Sequence, residues 1–213
     1  MFIGNMKANQ LKVKFIEWLI NNNKDIVIGN EVLFSENKSR ADIVMLKSNR
    51  IYAYEIKSDS DNFLDFDEQI LNYISTFNYT YLVITSKHIK QLEKFLHYNI
   101  GIYVYKDNNF ICMQKPILSK QISKYNLLEF LRKPELLSLI NKSGYSKYSV
   151  FTLREIISKR CSIKKIQDSC YNSLKSRYTI LYNLFLADIS KDSITIEDLK
   201  SLTGNITTQE LCL

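Results

Sequence analysis

Two carboxylates set inside apolar strands constrain this chain more than any other feature. Residues 40–46 and 51–57 are rich in β-branched and aromatic side chains, and the polar stretch Lys47-Ser48-Asn49-Arg50 separates them. That composition predicts a β-hairpin. A register that sets Leu46 against Ile51 places Asp42 opposite Glu55, where like charges roughly 5 Å apart destabilise a strand pair. Lys57 lies two residues beyond Glu55 and so shares its face. Two acids and a lysine thus converge among Val44, Ala53 and Ile56. A divalent cation between the acids would relieve the repulsion, because hard cations take carboxylate oxygens. The bland alternative is a solvated face, with Asp42 at a strand end and Glu55 paired to Lys57.

The rest of the first half predicts an α/β arrangement around this hairpin. Residues 7–23 carry Leu11, Phe15, Trp18 and Leu19 at helical spacing. Residues 25–28 and 31–34 read as two short strands broken by Gly29-Asn30, and residues 35–39 as a polar connection. After the hairpin, Asp59 and Asp61 are candidate caps for a helix running to about Phe77, with Phe63, Phe66, Ile70, Tyr73, Ile74 and Phe77 inward. Residues 81–85 form a short apolar strand. Residues 88–98 predict a helix with Ile89, Leu92, Phe95 and Leu96 inward and His88 and His97 on its surface. Residues 102–105 and 110–113 predict a second hairpin. Helix, strands, helix, strand, helix and strands fit a mixed β-sheet core flanked by helices on both faces.

Beyond Pro116 helical patterns dominate, at about 122–132, 134–141, 150–159, 163–171 and 174–187, with a break at residues 143–146 and a short helix at 195–202. Pro134 suits a first helical turn. The organisation predicted is therefore an α/β domain over 1–115 and an all-helical lobe over 116–213. Charge follows the same division. Residues 1–115 hold 14 Lys/Arg against 13 Asp/Glu, and residues 116–213 hold 15 against 9, within a net charge of +7. Lys159, Arg160, Lys164, Lys165, Lys175 and Arg177 are the candidate nucleic-acid contacts, with a plain solvated surface or a protein-docking lobe as the alternative.

No apolar run approaches the length needed to cross a bilayer, and residues 1–7 lack the apolar core of a signal peptide. A cytoplasmic protein without membrane contact is expected. Cys112, Cys161, Cys170 and Cys212 form no CxxC and no zinc spacing with the histidines, so reduced thiols are expected.

Asp42 followed by Glu55-Ile56-Lys57 resembles the D…(D/E)-X-K core of the PD-(D/E)XK nuclease superfamily. Glu31 resembles the acid that many members carry upstream. Gln69-Ile70-Leu71-Asn72-Tyr73, on the helix after the lysine, resembles the QxxxY motif of the RecB-like branch. Ala41 stands where the superfamily's name pattern has proline. The segment Tyr54-Glu55-Ile56-Lys57-Ser58-Asp59, with the basic helical extension, is similar to a group of uncharacterised bacterial nuclease-like proteins.

The resemblance implies a restriction-endonuclease-like core and a metal-dependent hydrolase that cleaves DNA. It implies Mg²⁺ or Mn²⁺ held by Asp42, Glu55 and the Ile56 carbonyl, with Glu31 completing the shell. Lys57 would orient the attacking water or stabilise the transition state, and Gln69 and Tyr73 would steady the site. Two other classes stay open on the same fold: a nucleic-acid-binding protein that does not cleave, and a protein-interaction component such as a toxin, immunity or defence factor. The oligomeric state is open as well.

Overall fold

The computed structural model describes residues 5–34, 39–140, 144–189 and 193–204. The expected polar connection before Ser39, part of the break before Gly144, the start of the C-terminal tail and Cys212 lie outside the described residues. Six strands form one sheet in the order β1-β2-β3-β4-β5-β6: β1 Val27–Phe34, β2 Ser39–Lys47, β3 Arg50–Lys57, β4 Tyr79–Thr85, β5 Gly101–Lys106 and β6 Asn109–Gln114. β3, β4 and β5 run parallel, and the outer pairs are antiparallel. Around the sheet are the helices α1 Ala8–Asn22, α2 Phe66–Ile74, α3 Lys124–Glu129, α4 Lys133–Ile140, α5 Val150–Arg160 and α6 Ile163–Asp188, with 3-10 helices at Ser86–Lys94 and Glu197–Leu202. It is the mixed sheet with flanking helices and a C-terminal helical region that the sequence pattern predicts.

Both hairpins close in two residues. Ser48 and Asn49 have φ of 50° and 58°, and Asp107 and Asn108 have 49° and 59°. Two positive φ values in a row match the twist of the flanking strands, and Asn and Asp tolerate them best after glycine. The first turn fixes the register, with Leu46 paired to Ile51 and Ile43 to Tyr54.

The two faces of the sheet are covered differently. Tyr54, Tyr81 and Tyr103 stack across β3, β4 and β5 with centroids 4.8 and 5.5 Å apart. Phe15 of α1 meets Tyr54 edge-on at 5.1 Å, so α1 lies over the tyrosine face. By alternation Ala53 and Glu55 point to the opposite face. There Tyr73 and Phe77 pack on Phe34, and Phe130 just beyond α3 packs on Phe77.

α6 docks on this second face over β1. Gly29 is what permits it: a Cβ there would fall 2.7 Å from the Tyr178 ring, inside van der Waals contact.

Several expectations are corrected. The strands expected at 25–28 and 31–34 are one strand, Val27–Phe34, bent at Glu31, whose φ is 54°. The helices expected at 163–171 and 174–187 are one helix of 26 residues. No glycine or proline interrupts the sequence between them, and the Ser173 hydroxyl turns inward to bond Glu135 at 2.6 Å. Residues 86–94 form a 3-10 helix. In it His88 is buried and Ile89 is exposed, as is Leu96 just beyond its end. The tighter winding moves the inward face, and the His88 Nε2 donates to the Ser58 carbonyl at 2.7 Å. Asp59 and Asp61 do not cap α2. Asp59 accepts from the Met6 N–H at 2.9 Å and Asp61 from the Ser58 N–H at 2.7 Å, which shapes the loop after β3. Cys112, Cys161 and Cys170 are free thiols, as expected of them.

Gly29→Ala should therefore destabilise the protein by about 1–3 kcal/mol through overpacking against Tyr178. Urea denaturation measures this, and an unchanged midpoint would mean that α6 does not sit on β1 as described.

Candidate functional site

The hairpin end opposite its turn carries the site. The β2–β3 ladder extends to Ile43–Tyr54, and Asp42 and Glu55 follow immediately. Instead of a further ladder rung, the Asp42 Oδ2 accepts the backbone N–H of Ile56 at 2.9 Å. Because N–H and C=O of one residue leave an extended strand on the same side, the Ile56 carbonyl also faces Asp42. On its other edge β3 pairs in parallel with β4 from Tyr52 to Lys57, which sets Glu55, Ile56 and Lys57 beside Leu82, Val83 and Ile84.

Glu55 is the most buried acid of the group, 4% exposed. Its Oε1 lies 2.9 Å from the Lys57 Nζ, and its Oε2 accepts the Tyr73 hydroxyl at 2.6 Å. The Gln69 Oε1 accepts from the Lys57 Nζ at 3.1 Å. Gln69 and Tyr73 are one turn apart on α2, so both side chains descend on the same face to reach β3. The four residues Glu55, Lys57, Gln69 and Tyr73 form one hydrogen-bonded unit, with Asp42 beside it.

Glu31 is held by two cations, one of which it shares with Asp42. Its carboxylate binds the Lys12 ammonium and, at 2.5 Å, the Arg40 guanidinium. It therefore contributes a held counterion to the site. Among the described residues no three His, Cys, Asp or Glu side chains gather in a way that could hold an ion.

Lys12 is the residue that sequence reasoning missed. It is 2% exposed and lies on α1, with its Nζ bound to Glu31 and 3.0 Å from the Asp42 Oδ1. A signal was present: Lys12, Ile16 and Leu19 are spaced i, i+4 and i+7, so the lysine interrupts a buried apolar stripe. Such a lysine needs an acid to meet.

The protonation states follow from these contacts. Burial raises the Glu55 pKa above the usual glutamate value, and the nearby Asp42 charge adds to the effect. Lys57 and the Tyr73 hydroxyl offset part of it. Burial also raises the Tyr73 pKa, with the Glu55 charge adding to it, so the hydroxyl stays a donor. Burial by itself would lower the pKa of Lys12. The charges of Asp42 and Glu31 outweigh that and hold its pKa above the ordinary lysine value.

The basic residues of the C-terminal region serve the helices. Lys165 donates to the Leu139 carbonyl at 3.0 Å, Arg160 to the Tyr145 hydroxyl at 2.6 Å, and Arg177 to the Phe130 carbonyl at 2.6 Å. Lys159 pairs with Glu155, and Lys175 lies over the Tyr171 ring. Lys164 pairs with Asp168, which also accepts from Asn49 in the hairpin turn at 2.8 Å. Asn49 is seven residues along β2 and its turn from Asp42, roughly 20 Å away. Lys164 is thus at the far end of the hairpin from the acids. Arg177 alone of the six lines a cleft shared with Glu31.

The raised Glu55 pKa makes a signed prediction. Between about pH 4.5 and its folded pKa, Glu55 is charged in the unfolded chain and still protonated in the native one. The unfolded state then binds fewer protons, and stability falls as pH rises. Glu55→Gln removes this titration. Relative to wild type it should gain stability from pH 4.5 upward and level off above the folded pKa, as read by urea denaturation across pH. A flat or falling difference would contradict the burial of this carboxylate.

A family profile described as bacteriophage P4 protein cII matches residues 4–203. Protein cII of Enterobacteria phage P4 is 28% identical over 207 residues, covering 93% of this chain and 78% of that protein. Among solved structures, a protein of unknown function from Silicibacter pomeroyi superposes with a TM-score of 0.42 at 15% identity, covering 74% of this chain and 97% of that one. Among the described residues no helix is long and apolar enough to cross a membrane. With its profile matched over nearly the whole length, the chain belongs to the bacteriophage P4 protein cII family.

Proposed function

We propose that the Asp42–Glu55–Lys57 site is a metal-dependent phosphodiester hydrolase centre acting on DNA. One observation carries the reading. Glu55, Lys57, Gln69 and Tyr73 form one hydrogen-bonded unit beside Asp42, at the buried end of a hairpin. A purely structural cluster has no need of a second acid next to Glu55, since the repulsion raises its pKa.

The donor set suits a hard divalent cation. Asp42, Glu55 and the Ile56 carbonyl offer oxygens only, and Mg²⁺ characteristically uses one or two carboxylates and keeps several waters. When bound, such an ion acidifies a water and neutralises charge on the scissile phosphate. The chain's own residues would do the rest. Asp42 is oriented by the Ile56 N–H and Glu55 by Tyr73. Lys57 has three N–H groups, of which, among the described residues, Glu55 and Gln69 take two. The third would donate to a phosphate oxygen as negative charge builds there. In the reaction the water oxygen would bond to phosphorus as it gives up a proton to solvent, the ester P–O bond would break, and the leaving oxygen would take a proton from solvent. The open groove lined by Ser39, Arg40, Asp65, Glu68, Gln69 and Asn72 adjoins the site, and Arg40 would meet the nucleic-acid backbone there.

A second reading, nucleic-acid binding without cleavage on the same fold, is favoured by one observation. The Lys12 ammonium already lies beside Asp42 and Glu31, so the acids have a counterion without any metal.

Purified protein incubated with Mn²⁺ or Mg²⁺ and duplex DNA, single-stranded DNA or RNA distinguishes these readings. Cleavage of DNA that drops at least about 100-fold in Asp42→Asn and Lys57→Ala supports the hydrolase. Cleavage that survives both substitutions contradicts it. Salt-sensitive binding with no turnover favours the second reading.

A further inference from the structure

Lys12 has no counterpart in the acid-X-lysine pattern, yet it stands among the acids of the site. It is almost fully buried, and a lysine in that position must stay paired. Among the described residues its partners are Glu31 and the Oδ1 of Asp42. The other oxygen of Asp42 is fixed by the Ile56 N–H, and both oxygens of Glu55 are engaged by Lys57 and Tyr73. Asp42 Oδ1 is therefore the carboxylate oxygen whose partner is most easily exchanged. Lys12 could release it and keep Glu31. Glu31 in turn keeps its surface partner Arg40. No buried charge is stranded when that one contact opens.

The charge balance points the same way. Glu31, Asp42 and Glu55 carry three negative charges, and Lys12, Arg40 and Lys57 carry three positive ones. A site already neutral gains less from a divalent cation than one with unmatched carboxylates.

We propose that Lys12 is an internal counterion that competes with a divalent cation for Asp42. Metal entry then requires the ammonium to leave Asp42 and remain on Glu31. The proposal rests on the reading of this site as a metal-dependent centre. Its consequence is a weakened metal affinity that depends on the charge at position 12.

Isothermal titration of the full chain with MnCl₂ tests it. Lys12→Met and Lys12→Gln should each bind Mn²⁺ at least 10-fold more tightly than wild type. Lys12→Arg, which keeps the charge, should show no such gain. Equal or weaker binding in the two neutral variants, with wild type still binding, overturns the proposal and leaves the metal-dependent reading intact. No binding in wild type or in any folded variant overturns both. If the neutral variants do not fold, the wild-type protein answers alone. The ¹⁵N signal of the Lys12 ammonium should shift when Mg²⁺ saturates the protein, and an unmoved signal overturns the proposal.

Discussion

The buried carboxylate of Glu55 is the constraint around which the structure is arranged. A charge removed from water must be paired or hydrogen-bonded, or it reverts to its neutral form. Here two elements supply the compensation: β3 brings Lys57, steadied by Gln69, and α2 brings Tyr73. The neighbouring β2 adds a second acid, Asp42, whose charge works against Glu55 and which needs its own partner. That partner comes from α1, on which Lys12 is held between Asp42 and Glu31. The helices over the two faces of the sheet are thus tied to one cluster of charges, α1 with the tyrosine face and α2 with the opposite one.

Much of the packing exists to bring these elements close. Phe15 anchors α1 on the stacked tyrosines, and the Phe34, Tyr73 and Phe77 rings hold α2 over the end of the hairpin. Gly29 lets α6 approach β1 beside the bend at Glu31. The same bend carries the acid that holds Lys12. The C-terminal helices therefore reach the site by packing on the strand that supplies Glu31, while most of their cations are used on helix carbonyls and neighbouring side chains.

The hairpin was legible in the sequence because turn chemistry and strand alternation agree there: Ser48-Asn49 can take two positive φ values, and the register that follows sets Leu46 on Ile51. Gln69 and Tyr73 were legible through their one-turn spacing. Lys12 was legible only in part: helical periodicity places it on the apolar stripe of Ile16 and Leu19, but it does not name the acids that it meets. The contact that explains it links residues far apart in sequence. The continuity of α6 was hidden by Asn172 and Ser173, which are weak helix formers, and the inward hydroxyl of Ser173 depends on Glu135 in another helix. His88 was misplaced because a 3-10 helix turns its inward face faster than an α-helix does.

The central claim is that the buried Lys12 and the half-buried Asp42 are energetically coupled as an ion pair. A double-mutant cycle on stability with Lys12→Met and Asp42→Asn tests this most directly. The account predicts that each single change is strongly destabilising and that the double mutant recovers part of the loss, with a coupling of at least about 1 kcal/mol. Additive effects, with no recovery, would contradict it.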